Sequence, residues 1–286
     1  TYRRTAAVDV SAKTGRGRGV TDSGIALGRR IDHQAVLVRV AIDHQATGLG
    51  DAVDAELKTL LHSDFPDDAI MRADEAGFSV KGLGESSQAI DYVMRAVKNA
   101  GFIPGKDIQI ALDVAASSFY DTEKGNYLFQ GKHVSSEYMI EYFCDLADEY
   151  SGTIISIEDG LAENDWQYWP KLTDKLSKRK ILSIGDDLFV TQFERLNRGI
   201  KENSASAILI KVNQIGTLTE TLETIAVARK AGYSLVVSAR SGETEDTTIA
   251  DLAVGVAAEQ IKIGSIVRSE RLAKYNQLLR IEERIR

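Results

Sequence analysis

Six apolar runs each end in a residue of chemical use, and the six types would combine into one reaction. The runs are IQIALD (108–113), TIISIED (153–159), ILSIGDD (181–187), AILIKVN (207–213), SLVVSAR (234–240) and QIKIGS (260–265). Their ends carry Asp113, Glu158, Asp186, Lys211, Arg240 with Ser241, and Lys262. Any one has an ordinary explanation: an Asp after a strand commonly caps a helix, and a Lys in an apolar strand can snorkel to an edge. Six in succession, each of useful sign, favour a shared site. Three converging carboxylates repel one another unless a cation sits among them, and hard oxygen ligands suit Mg²⁺. A lysine beside that cation is desolvated and faces positive charge, which favours the neutral amine that acts as a base. Metal plus base is the equipment for removing a proton next to a carboxylate. Arg240, Ser241 and Lys262 could hold a phosphate or a second carboxylate.

The elements that must position these residues follow from the same runs. The last five begin 26 to 28 residues apart, the length of one βα unit. Near-continuous apolar strands are what a parallel sheet buried on both faces requires. The intervening segments read as helices. Residues 217–231 place Leu218, Leu222, Ile225 and Ala228 on one face, with Thr217 and Glu220 at capping-box spacing and Gly232 at the C-terminal cap. Residues 86–100 repeat the pattern with Ile90, Val93 and Val97, followed by Gly101. Six units in series favour an α/β barrel, in which all strand ends open on one rim. A doubly wound sheet shares the periodicity. Upstream, AVLVRVAI (35–42) reads as a strand and AVDAELKTLL (52–61) as a helix. KTGRGRG (13–19) is Gly-rich and basic but lacks the P-loop spacing, so a plain loop is favoured over a phosphate cradle. IDHQ occurs at 31–34 and 42–45, too short a repeat to imply a repeat architecture.

Composition narrows the classes. The 286 residues are 43% hydrophobic and 27% charged, as in ordinary globular proteins. Net charge is −7, which argues against general nucleic-acid binding. No apolar run reaches the length of a membrane span, and the opening TYRRTAAVDV is not an apolar leader. The chain opens without Met, as a fragment, or the ordered part alone, of a longer protein would. A single cysteine, Cys144, rules out an intrachain disulfide and fits a reducing cytoplasm. His33, His44, His62 and His133 read as exposed polar residues.

At the strand-end residues the chain resembles the enolase family, the phosphopyruvate hydratases of glycolysis. The matching stretches are ALDVAASSFYD (111–121), SIEDGLAENDW (156–166), GDDLFVT (185–191), AILIKVNQIGTLTETLE (207–223), VVSARSGETEDTTIADLAVG (236–255) and QIKIGSIVRSERLAKYNQLLRIEE (260–283), with DEAGF (74–78) similar to the family's acidic loop. The resemblance implies a TIM-like (β/α)8 barrel of the enolase type over 35–286, with most of the N-terminal capping domain absent. Residues 1–34 would be a remnant of that domain, or the first barrel strand plus a loop.

The resemblance also implies roles. Asp113, Glu158 and Asp186 match the family's ligands for Mg²⁺. Lys211 matches the base that takes the proton from carbon 2 of 2-phosphoglycerate, and Glu75 the acid that helps the carbon 3 hydroxyl leave. Arg240 and Ser241 match phosphate contacts, Lys262 the lysine facing the substrate carboxylate, and Gln34 a substrate contact. Several positions depart from the family pattern. Ala239 replaces the histidine of S-H-R-S-G-E-T-E-D. Gly160 and Asn164 replace Pro and Asp in S-I-E-D-P-L-A-E-D-D-W. Ala35 stands for the glutamate of a Gln–Glu pair, and Ala26 for a second histidine. AAVDVSAKTG (6–15) echoes the family's serine loop, with Lys13 for a serine near a second metal, and equally suits the first barrel strand.

Three functions follow as expectations. The first is a Mg²⁺-dependent carbon–oxygen lyase that dehydrates 2-phosphoglycerate to phosphoenolpyruvate. The second is a family enzyme with a changed acid substrate, and the third a non-catalytic paralogue. The metal ligands and Lys211 persist while the losses cluster around Ala239, Ala35, Ala26 and the serine loop, a pattern that favours an enzyme. The implied partners are a small phosphorylated carboxylic acid and a second copy of the chain as a homodimer, with no nucleic acid and no membrane.

Overall fold

The computed structural model describes residues 5–11, 37–43, 47–72, 75, 77–83 and 85–285. In chain order its strands are β1 (Thr5–Ser11), β2 (Leu37–Asp43), β3 (Ile70–Arg72), β4 (Phe78–Val80), β5 (Ile108–Asp113), β6 (Tyr120–Asp121), β7 (Asn126–Phe129), β8 (Lys132–Val134), β9 (Ile154–Glu158), β10 (Leu182–Gly185), β11 (Ala207–Ile210), β12 (Ser234–Ser238) and β13 (Gln260–Lys262). The helices are α1 (Thr47–Asp64), α2 (Ser86–Asn99), α3 (Ser136–Glu149), α4 (Trp169–Ser177), α5 (Phe193–Glu202), α6 (Val212–Ile215), α7 (Leu218–Lys230), α8 (Thr248–Gly255) and α9 (Ser269–Ile285).

Eight strands close into a barrel in the order β1-β13-β12-β11-β10-β9-β5-β2. β5 and β9 to β13 run parallel to their barrel neighbours among themselves, and β13 closes on β1 in the same sense. β2 runs antiparallel to both β1 and β5. Its first residue, Leu37, therefore pairs with Ser11 and with Asp113 at one rim. Residues 5–11 are thus a barrel strand rather than a loop.

The parallel strands β9 to β12 are mostly apolar because both faces are covered. Ala207, Leu209, Val236 and Ile184 pack together in one cluster inside the barrel. The alternate residues Ile208, Ile210, Leu235 and Val237 join the large cluster beneath the helices. The two-residue period of a strand divides each run between these cores. Two further sheets were not read from the sequence: the hairpin β3–β4 and the three-stranded β6–β7–β8. Both are built from strands of two to four residues, too short for a periodic signal. Among the described residues no helix is long and apolar enough to cross a membrane.

The helix over 217–231 forms, with Thr217 Oγ1 accepting the Glu220 amide at 3.2 Å and Gly232 at φ 81°. Its buried face differs from the expected one. Thr221, Thr224, Ile225 and Ala228 face the barrel, whereas Leu218 and Leu222 are 50% and 43% exposed. Small residues on the inner stripe let α7 lie close to the strands, and Leu222 sits one residue, about 100°, round from Thr221. Ile225→Ala should therefore cost ~2–5 kcal/mol, as other buried Ile truncations do. Leu222→Ala should stay within ~0.5 kcal/mol. Urea midpoints of the two variants check the difference, and equal losses would refute this packing.

Candidate active site at the barrel mouth

The C-terminal ends of the parallel strands gather the expected residues on one rim. Asp113 and Glu158 are paired across β5 and β9, and Glu158 is paired with Ile184 of β10, two residues before Asp186. All three carboxylates are buried, as is Lys262. Lys262 comes from β13, on the far side of the barrel. Its Nζ lies 2.5 Å from Glu158 Oε1 and 3.0 Å from Asp113 Oδ2. Lys211, the first residue past β11, places its Nζ 2.5 Å from Asp186 Oδ2. Removing such charges from water costs several kcal/mol each, a penalty met only by close, hydrogen-bonded partners. The lysines supply those partners. Lys262 was expected to face a substrate carboxylate; here it contacts two of the expected metal ligands.

Local backbone geometry aims these groups. The residues just past the strand ends adopt left-handed conformations at Ala115 (φ 46°), Asp159 (φ 43°), Val190 (φ 49°) and Thr191 (φ 55°). Such angles are uncommon outside glycine and unfavourable for β-branched residues, so they mark backbone held by its surroundings. Thr191 Oγ1 accepts the Lys211 amide at 2.9 Å and donates to Gln214 Oε1 at 2.9 Å, which fixes where the lysine leaves the barrel. Gly185 is required beneath Asp186, because a Cβ there would stand 2.6 Å from Phe189 Cδ2.

Two carboxylates that the sequence reading passed over belong to the same place. Asp159 Oδ1 accepts the Asp186 amide at 2.9 Å and Oδ2 the Asp187 amide at 2.8 Å. Asp159, Asp186 and Asp187 each bring an oxygen within 4.8 Å of the others. Burial, with Asp186 and Asp187 beside it, pushes the Asp159 carboxyl well above the usual range. Burial and Asp186 raise Asp187 in the same way. The Glu-Asp and Asp-Asp doublets at 158–159 and 186–187 were the available signal. The loop after β9 is held further on by Asp165, whose Oδ2 accepts Tyr127 Oη at 2.7 Å and Ser136 Oγ at 2.6 Å.

The remaining expected residues divide. The Glu75 carbonyl accepts the Ser265 amide at 2.8 Å, which ties its segment to the chain just past β13. Arg240 Nη1 donates to Asn213 Oδ1 at 2.7 Å, and Ser241 is exposed beside it. Ala239 is buried at the end of β12, its amide donating to the Lys262 carbonyl at 2.8 Å. Gln34 lies outside the described residues, as do Ala26, Ala35 and the segment 13–19.

The donor set fits a hard divalent cation. Asp186 Oδ1 is buried without a hydrogen-bond partner among the described residues, an acceptor whose burial is costly unless something answers it. Oxygen ligands from several carboxylates answer to Mg²⁺ rather than to softer metals. The family model described as "Enolase, C-terminal TIM barrel domain" matches residues 20–286. That span includes every strand-end residue of the site and all barrel strands but β1. With the closed barrel and the charged mouth agreeing, the chain belongs to the family of enolase C-terminal TIM barrel domains.

Proposed function

We propose that this chain is a Mg²⁺-dependent enzyme that removes a proton next to a carboxylate. Dehydration of 2-phosphoglycerate to phosphoenolpyruvate is the reaction its residues suit best. The observation that carries this reading is the meeting of two lysines with Asp113, Glu158 and Asp186 at the barrel mouth. Asp113, Glu158 and Asp186 would hold Mg²⁺, with Asp159 fixing the backbone of Asp186. Bound there, the cation supplies positive charge against the substrate carboxylate and the negative charge that develops on it. Lys211 takes the proton from carbon 2. Its backbone is fixed by Thr191, so leaving Asp186 for the substrate needs only side-chain rotation. Arg240 and Ser241 hold the phosphate, Lys262 the carboxylate end, and Glu75 assists the departing hydroxyl. Gln34 is a further substrate contact. A reducing cytoplasmic setting goes with this reading, since Cys144 is free and buried in α3.

Millimolar Mg²⁺ should raise the melting temperature, because a ligand bound only by the folded state stabilises it. Glu158→Gln should remove most of that gain; an unchanged curve for the native sequence would count against the metal site.

Lys211→Ala should abolish exchange of the carbon 2 proton of 2-phosphoglycerate with solvent, while the Mg²⁺-induced rise in melting temperature persists. Continued exchange would assign the base to another group, Lys262 first.

The buried methyl of Ala239 favours a second reading, in which the acid substrate has changed. A methyl group offers no proton to a leaving hydroxyl, and loss of a positioned acid typically slows a reaction by ~10²–10⁴. Dehydration of 2-phosphoglycerate should then be slow, and Ala239→His should raise dehydration more than exchange. Turnover by the native sequence at ordinary enzyme rates, on the order of 10 s⁻¹, would remove this second reading.

A further inference from the structure

Helix α9 buries two cations completely, Arg271 and Lys274, both with 0% exposure. Neither touches the strand-end carboxylates. Arg271 Nη1 donates to the carbonyls of Arg240 at 2.7 Å and Ile263 at 3.1 Å, and Nη2 to the carbonyl of Ser241 at 2.6 Å. Lys274 Nζ lies 2.7 Å from Glu243 Oε2 and donates to the carbonyls of Thr244 and of Glu270, the latter at 2.8 Å. Glu243 Oε1 in turn accepts the Arg240 amide at 2.9 Å. The backbone of 240–244 is therefore held largely by side chains of another element.

The stem of Arg271 also lines Gly264, on whose other side the Glu75 segment lies. Gly264 has φ 102°, and a Cβ on it would meet both Arg271 Cδ and the Glu75 carbonyl oxygen at 3.0 Å. Tyr275 Oη donates to the Gly264 carbonyl at 2.7 Å, so α9 grips this junction twice. A rigid planar fork that satisfies three carbonyls at fixed angles is a task for arginine, not for a point charge. Among the described residues, the carboxylate in ion-pair range of Arg271 is that of Glu270, at 3.9 Å from Nε. Positive charge thus stands directly behind the backbone of Arg240 and Ser241. In a low-dielectric setting such fixed charge favours an anion in front of it.

We propose that Arg271 and Lys274 are positioning residues that shape the 240–244 loop for an anionic group of the substrate and register it against Glu75. The proposal rests on the reading of Arg240 and Ser241 as phosphate contacts. Neither cation touches substrate; both act through the loop.

The test uses the full chain with inorganic phosphate as the probe, in the presence of Mg²⁺. Phosphate affinity is read by calorimetry and the Mg²⁺-induced melting shift is read separately. Arg271→Lys keeps the charge and loses the fork. It should retain the Mg²⁺ shift and weaken phosphate binding on the order of 10–100-fold, the scale of a misaligned contact. Glu243→Gln, at a half-buried loop position, can no longer serve Lys274 and the Arg240 amide equally, and should weaken phosphate several-fold. With 2-phosphoglycerate, both variants should raise KM. Parallel loss of the Mg²⁺ shift and phosphate binding in both variants would mean general loosening and would overturn the proposal. Wild-type phosphate affinity in either variant that keeps its Mg²⁺ shift would overturn it as well. Arg240→Met is the control on the underlying reading. If it leaves phosphate affinity unchanged, the phosphate reading fails and this proposal with it. If it weakens binding while Arg271→Lys and Glu243→Gln do not, only the positioning role is lost.

Discussion

Lys262 spans the mouth of the barrel to meet Asp113 and Glu158, and that contact depends on the closed sheet. β13 and β9 are not neighbours in the sheet; they face one another only because β1 and β2 complete the ring. A buried ammonium and two buried carboxylates are each unfavourable alone. Together they satisfy one another at distances that allow little displacement of either strand. The two lysines thus fix the buried carboxylate oxygens at the barrel mouth.

Around this centre the chain uses backbone to fix what side chains must do. Asp159 accepts the amides of Asp186 and Asp187, so one carboxylate sets the direction of the next. Thr191 accepts the amide of Lys211 from a left-handed backbone that a β-branched residue enters only under constraint. Phe189 fills the space above Gly185 and Gly199, which locks the turn after β10 onto α5. At the 240–244 loop, buried cations of α9 replace the missing ladder of backbone bonds. In each case a neighbouring group narrows the conformations open to a residue of the barrel mouth, which is how a site holds its geometry on loops.

The departures from the family pattern take on physical meaning in this frame. Ala239 lies beside Lys262 in the ladder but offers only a methyl group at the rim. Gly160 sits where a Cβ would come within 3.1 Å of Leu172 Cδ2 and 3.2 Å of Ile157 Cγ2, so the tight packing of this loop accommodates its lack of a side chain. Asp113, Glu158, Asp186 and Lys211 keep the residue types of the family pattern through these changes.

Much of this was legible in the sequence. The runs IQIALD and AILIKVN had to be buried on both faces, which implied parallel strands with helices outside, and their polar termini then had to share a rim. Asp113, Glu158, Asp186, Lys211 and Lys262 could be named because position within a βα unit is a property of the chain alone. Other features were not local. The outward turn of Leu218 and Leu222 was decided by how closely α7 packs on β11 and β12. The antiparallel entry of β2 was decided by closure of the ring. Lys262 chose Asp113 and Glu158 as partners 149 and 104 residues away in sequence, and Arg271 found its carbonyls about thirty residues upstream. Periodicity records which face of an element is covered, whereas pairing of buried charges depends on distances across the assembled barrel, and only the folded chain sets those.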